Sequence, residues 1–137
     1  MAAAKPLKLI ELDSNYAIAA LGKNSAQSAQ LEEWLRSGAV VQMSAVAWSE
    51  YLCGPSGPLD ETRVRTAGRV LGGIEAFLEG DAKLASELFN ATGRRSRSHV
   101  DCMIAAHAIR RDALLATLNF RDFARFEKLQ LRLAREI

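Results

Sequence analysis

Short apolar runs of strand length alternate with longer segments of helical period along almost the whole chain, and this alternation restricts the fold more than any other feature. Residues 7–12 and 40–43 read as short strands, and 114–118 is a continuous apolar run suited to a buried one. Residues 129–137 alternate Leu129, Leu131 and Leu133 with Gln130, Arg132 and Ala134, as an edge strand does. Between them the spacing predicts helices at 15–21, 25–37, 44–52, 59–71, 82–91, 98–110 and 120–128, with a weaker segment at 74–78. Ser25 and Ser44 are placed to cap two of these helices, Gly38 to end one, and the Gly/Pro-rich stretch 54–58 to form an exit loop. Strands separated by helices favour an α/β fold of three layers, α/β/α, with a mainly parallel central sheet covered on both faces.

A chain of 137 residues lies in the single-domain range, so residues 1–137 are expected to form one domain without a linker. Its 49% hydrophobic and 25% charged content is that of an ordinary globular protein, which excludes a disordered or disulfide-stapled chain. Cys53 and Cys102 are too few and too far apart for a disulfide framework, so both read as small core residues in a reducing cytoplasm. Residues 1–6 lack the apolar stretch of a signal peptide. The nearly charge-free segment 37–59 is broken by Glu50, Gly54, Pro55, Gly57 and Pro58, so a cytoplasmic protein without membrane contact is expected. No internal repeat and no glycine-rich phosphate loop of the dinucleotide or P-loop type is present.

Acidic or amide side chains stand where apolar segments give way to helices, at Asp13, Asp101 and Asn119, with Glu50 inside a helix of its own. In an open parallel sheet the loops leaving the carboxyl ends of the strands gather along one edge, which places Asp13 and Asn119 there together. Glu50 is the sole acidic or basic residue between Arg36 and Asp60, and an ionised carboxylate in apolar surroundings needs a cation, a basic partner or an escape to solvent. Each of the others also has a plain structural reading. Ser98 and Asp101 fit a Ser-x-x-acid capping pattern, Asn119 and Asp122 repeat the spacing, and Asp13 can itself cap a helix. Several carboxylates at one edge repel one another unless a divalent cation holds them.

The segments Leu12-Asp13-Ser14-Asn15, Ser49-Glu50-Tyr51-Leu52, Asp101-Cys102-Met103-Ile104-Ala105-Ala106-His107-Ala108 and Leu115-Ala116-Thr117-Leu118-Asn119-Phe120-Arg121-Asp122-Phe123 resemble the signature regions of PIN-domain ribonucleases, in order and spacing. Similarity is greatest to the VapC-type toxins. The resemblance implies Asp13, Glu50 and Asp101 as ligands of Mg²⁺ or Mn²⁺, with Asn119 in the fourth position and Asp122 supplementing it. An amide there donates one neutral oxygen, which favours one-metal over two-metal chemistry. It further implies hydrolysis of RNA phosphodiesters, a homodimer, and a small antitoxin that covers the acidic cleft. An RNA-processing nuclease without an antitoxin and a non-catalytic RNA-binding module are the competing expectations.

Arg94, Arg95 and Arg97 form a basic run before the helix that carries Asp101, either solvated surface or a patch that steers RNA phosphates. The net charge of +2 alone does not decide between them. Thr117 is placed to hydrogen-bond a ligand or phosphate, or simply to suit a strand. His107, within an apolar helical stretch, reads as packed, while for His99 a contact with substrate stays open. Trp34, Trp48 and Phe77 read as core or interface residues rather than base-stacking platforms.

Overall fold

Five parallel strands form the centre of the fold, in the order β3-β2-β1-β4-β5, and helices flank the sheet to make a three-layer α/β/α sandwich. The structure is a computed structural model and describes residues 8–135, so residue 7 of the first expected strand, the 1–6 segment and residues 136–137 lie outside it. In chain order the elements are β1 (Leu9–Leu12), α1 (Ser14–Ala20), α2 (Ala26–Arg36), β2 (Val40–Ser44), α3 (Ala45–Cys53), α4 (Glu61–Val70), β3 (Ile74–Glu75), α5 (Glu79–Ala91), α6 (His99–Arg110), β4 (Leu114–Ala116), α7 (Phe120–Phe123), a 3₁₀ turn (Ala124–Leu129) and β5 (Arg132–Leu133).

Local chemistry sets these boundaries. Ser25 begins α2 by accepting from the Ser28 N–H at 2.9 Å, and Ser44 begins α3 by accepting from the Ala47 N–H at 3.1 Å. Gly54 ends α3 with φ +67, where an added Cβ would lie 2.2 Å from the Gly57 carbonyl oxygen. Only glycine fits that corner, whose φ lies in the left-handed region.

The expected boundaries move where tertiary partners intervene. Helix α5 starts at Glu79 rather than 82, because buried Asp81 accepts from the Leu78 N–H at 2.8 Å and ion-pairs Arg110 on the neighbouring α6. Strand β4 stops at Ala116 because Thr117 turns its side chain into the site described below. The 120–128 helix divides into α7 and a 3₁₀ turn, and the expected 129–137 strand keeps only Arg132 and Leu133 after Gln130 reverses the chain at φ +84. Cys53 is exposed at the end of α3, contrary to its reading as a core residue, whereas Cys102 is buried.

The core lies on both faces of β1, β2 and β4. Ile10, Leu12, Val41, Met43 and Leu115 are almost completely buried, as strands covered by helices on both sides require. Trp34 is buried and stacks on Tyr16 at 5.7 Å, and half-buried Trp48 stacks on Tyr51 at 5.4 Å. Phe77 is half-buried.

One polar cluster interrupts this core. Glu11 on β1 and His107 on α6 are both buried, with the Nδ1 of His107 2.8 and 2.9 Å from the two carboxylate oxygens of Glu11 and its Nε2 3.1 Å from the Ala76 carbonyl. Arg111 adds its guanidinium to Glu11 at 3.6 Å and to Gln42 at 2.9 Å. The histidine is packed, as its surroundings in the sequence suggest, and it also ties the helix to the first strand.

Candidate active site

Strand order decides where side chains can meet. From β1 the chain steps to β2 and β3 on one side, and β4 and β5 lie on the other, so the order reverses between β1 and β4. In open parallel sheets ligands bind beside such a reversal, outside the carboxyl ends of the strands. Asp13 follows β1 there, and its N–H donates to the Ala116 carbonyl at the end of β4 at 2.8 Å. Thr117 and Asn119 follow β4.

Asp13 is 5% exposed and is held at both carboxylate oxygens. Oδ1 accepts from the Ser14 N–H at 2.8 Å, so the residue does cap α1, and Oδ2 accepts from the Thr117 hydroxyl at 2.8 Å. Thr117 in turn accepts from the Asn119 N–H at 2.9 Å. Its hydroxyl therefore transmits the geometry of the β4 exit to Asp13 and is more than a strand-forming side chain.

Asp101 lies in the first turn of α6. That helix leads directly into β4, so it ends at the amino edge of the sheet and must begin at the carboxyl edge. The capping pattern expected of Ser98 and Asp101 does not form. Ser98 makes no side-chain cap and donates its hydroxyl to the Arg95 carbonyl at 2.7 Å, which leaves Asp101 for another purpose. Glu50 sits on exposed surface of α3 and accepts from the Ser14 hydroxyl at 3.3 Å, so Ser14 bridges the Asp13 turn to α3. Asn119 does not cap α7, and its amide donates to Asp122 Oδ2 at 2.7 Å.

The carboxylates act on one another electrostatically. Burial pushes the Asp13 carboxyl up against the pull of its Thr117 and Ser14 hydrogen bonds. Burial likewise raises Glu50, helped by the charges of Asp13 and Asp101 and opposed by Ser14. Asp101 is raised by burial and by the charges of Asp13 and Asp122, against the pull of Arg125. These are the directions expected of acids that share a site. Among the described residues, none of the four has a basic side chain within the 4.0 Å of an ion pair. Nor do three or more acidic, histidine or cysteine side chains among the described residues already stand as a closed cage for an ion. The donor set nevertheless suits a hard divalent cation. It consists of oxygen atoms alone, and its repulsion is one that a cation relieves.

The basic run divides. Arg95 and Arg97 share a pocket with Ser98, Asp101 and Asp122, whereas Arg94 turns back onto α5, its guanidinium 5.1 Å from the Phe89 ring centroid and bonded to Asn90. His99 is exposed and packs edge-on against Phe89 at 5.3 Å. Arg125, which nothing in the sequence singled out, lines the same pocket as Arg95 and Arg97. Its only local signal is an arginine beside Phe126 in an amphipathic stretch, a pattern that many surfaces share.

The PIN-domain family model matches residues 10–129, which takes in every element from β1 through the 3₁₀ turn. The chain belongs to the PIN-domain family. No curated protein matches it in sequence. Among solved structures, the VapBC2 complex of Rickettsia felis, bound to a DNA fragment from its promoter, is similar with a TM-score of 0.73 and 22% identity, over 94% of this chain and 99% of that one. VapBC-1 of nontypeable Haemophilus influenzae gives a TM-score of 0.71 at 20% identity, covering 92% of this chain and 96% of the other. The VapC20 toxin of Mycobacterium tuberculosis, which cleaves the sarcin-ricin loop, gives 0.64 at 17% identity, over 93% and 99% of the respective chains. At these identities the likeness is one of fold.

Proposed function

We propose that this PIN domain is a metal-dependent ribonuclease and the toxin of a VapBC-type toxin-antitoxin pair. The observation that carries the reading is the meeting of Asp13, Glu50 and Asp101 in one electrostatic field at the strand-order reversal, each with its carboxyl raised and none paired with a basic side chain. Carboxylates left in that condition are poised for a cation or for proton transfer.

Asp13, Glu50 and Asp101 would hold one Mg²⁺ or Mn²⁺, which supplies charge neutralisation at the phosphate and a water of lowered pKa. The chain's own residues do the rest. Thr117 and the Ser14 N–H fix the two Asp13 oxygens, so one ligand is preset before any ion arrives. Ser14 steadies Glu50, which lies at the rim where an attacking water would approach and is suited to orient it. Asn119 spends its amide N–H on Asp122 and keeps its carbonyl oxygen, so the pair tunes the Asp101 side of the site rather than supplying a second full carboxylate cluster. One-ion chemistry follows from that asymmetry. Arg95 and Arg97 face the same pocket as Asp101 and Asp122 and would bind the RNA backbone, which gives affinity rather than sequence choice.

An antitoxin partner is supported by the similar folds solved as VapB–VapC complexes. Leu118 and Phe120, 45% and 43% exposed beside Asn119, give a covering segment apolar ground next to the acids. A homodimer and a cytoplasmic location belong to the same reading. Among the described residues no helix is long and apolar enough to cross a membrane.

The test is cleavage of RNA by the purified chain. Activity is expected with Mg²⁺ or Mn²⁺, lost in EDTA, and reduced at least about a hundredfold in Asp101→Asn, which keeps the shape of a ligand and removes its charge. Cleavage that survives both EDTA and Asp101→Asn overturns the reading.

A further inference from the structure

Arg125 lies in the 3₁₀ turn, and its Nε and Nη2 atoms are shielded from solvent without a hydrogen-bond partner among the described residues. Buried guanidinium nitrogens normally find acceptors, since leaving them bare forfeits their hydration. Three features explain why this one stays in place and uncancelled. The guanidinium stacks over the Phe126 ring, 4.6 Å from its centroid, which fixes the plane of its donors. Its charge reaches Asp101 strongly enough to pull that carboxyl down against burial and two neighbouring acids, yet it forms no ion pair with Asp101 or Asp122. The adjacent Cys102 thiol is pushed up by burial against the pull of Ser98 and Arg125, so it stays neutral and leaves the guanidinium's charge uncancelled.

The pocket that Arg125 lines is built for an anion on its remaining sides as well. Arg95 and Arg97 stand on the loop across from it, with Arg97 held at φ +64, a left-handed conformation that a non-glycine residue adopts only under local constraint. The Ser98 hydroxyl is already spent on the Arg95 carbonyl, so the donors that remain are guanidinium groups. Asp101 and Asp122 close the side towards the candidate metal centre.

We propose that this pocket is a subsite for the RNA backbone phosphate adjoining the scissile one, with Arg125 as its fixed anchor and Arg95 and Arg97 as its outer wall. The proposal rests on the ribonuclease reading and names a residue which that reading does not use. A planar guanidinium matches two oxygens of a phosphodiester in a way that a point charge does not, and one already stacked and dehydrated loses little on binding. The acids repel RNA from one side of the pocket while the arginines hold it from the other. The backbone is thereby given a direction across the site.

Arg125→Gln and Arg125→Lys test this, with Arg36→Gln on the far surface of α2 as control. Binding of a short labelled single-stranded RNA is followed by fluorescence anisotropy in EDTA over a salt series, with KM and kcat measured in Mg²⁺. Arg125→Gln is expected to weaken binding about tenfold and to make the salt dependence shallower by about 0.7, the value of one phosphate contact on a single strand. KM should rise by a similar factor, with kcat changing less. Arg125→Lys should keep the salt slope but bind more weakly, having charge without the planar fork. Melting temperatures should stay level or rise, because the removed nitrogens have no protein partner.

The subsite is overturned if Arg125→Gln binds with wild-type affinity and slope, if the wild-type chain does not bind RNA at all, or if both variants lose binding only in step with their melting temperature. A chain that binds RNA through Arg125 yet never cleaves it defeats the nuclease reading and leaves the subsite standing. One that cleaves normally with an unchanged KM in Arg125→Gln does the reverse.

Discussion

At the scale of single residues, Thr117 separates the candidate site from a generic acidic edge. Its hydroxyl donates to Asp13 and accepts from the Asn119 N–H, and at 1% exposure no water can replace it without rearrangement. Thr117→Val keeps the shape and leaves a buried carboxylate oxygen and a backbone N–H without that partner, at about 1–3 kcal/mol. A matching fall of roughly tenfold or more in kcat/KM is expected, along with a drop in melting temperature, and Thr117→Ser should recover most of both. If Thr117→Val cleaves like wild type, Asp13 is oriented by something else. The acids themselves were legible in the sequence, because a carboxylate where an apolar run meets a helix is unusual enough to stand out. Arg125 was not, since what distinguishes it is the lack of an acceptor, and an absent partner leaves no trace in a string of letters. Arg94 illustrates the converse. It looked equivalent to Arg95 and Arg97, yet the left-handed turn at φ +55 sends it back to Phe89 and Asn90.

At the scale of elements, periodicity located each helix and strand of the core, because burial on two faces writes long apolar runs into β1, β2 and β4. The ends went astray where a partner distant in sequence sets them, as Arg110 and Asp81 do for the start of α5. The Glu11–His107 link was invisible for the same reason. A lone histidine on an apolar helix says that it is packed, and nothing in residues 99–110 says that a carboxylate on β1 receives it. Both ring nitrogens of His107 face acceptors, so the ring satisfies all its contacts only when doubly protonated. This ion pair joins β1, whose next turn carries Asp13, to α6, whose first turn carries Asp101. His107→Leu would strand the Glu11 charge in the core and is expected to destabilise by about 3–5 kcal/mol, whereas adding Glu11→Met should restore much of that loss. Denaturant unfolding of the two single variants and the double one measures the coupling. Equal losses that simply add would show that the pair does not act as a unit.

At the scale of the whole molecule, two groups of carboxylates pull stability in opposite directions as pH changes. Burial alone would raise Asp81, but its bond and ion pair with Arg110, the Leu78 N–H and the charge of His107 outweigh that and lower its pKa below 3.8. Its stabilisation is therefore complete above the unfolded value and is lost as pH falls through the lower folded one. Asp13, Glu50 and Asp101 are raised from 3.8, 4.5 and 3.8, so their contribution is greatest below those values and is lost as pH rises through the folded ones. A fold that tolerates such a cluster at neutral pH carries a repulsion that a bound cation would convert into attraction. Mg²⁺ at about a hundred times its dissociation constant should then add on the order of 2.7 kcal/mol at pH 7, seen as a higher melting temperature. That gain should shrink as the buffer is made acidic enough to protonate the cluster, because the ion and the protons compete for the same oxygens. Arg110→Met, which removes the partner of Asp81, should steepen the acid loss of stability and leave the Mg²⁺ shift at pH 7 intact. The double variant Asp13→Asn with Asp101→Asn should do the opposite, raising the metal-free melting temperature at pH 7 and abolishing the shift. A Mg²⁺ shift that persists in that variant would place the cation elsewhere on the molecule, and the crowding of Asp13, Glu50 and Asp101 would then have to be met by a partner's basic side chain instead.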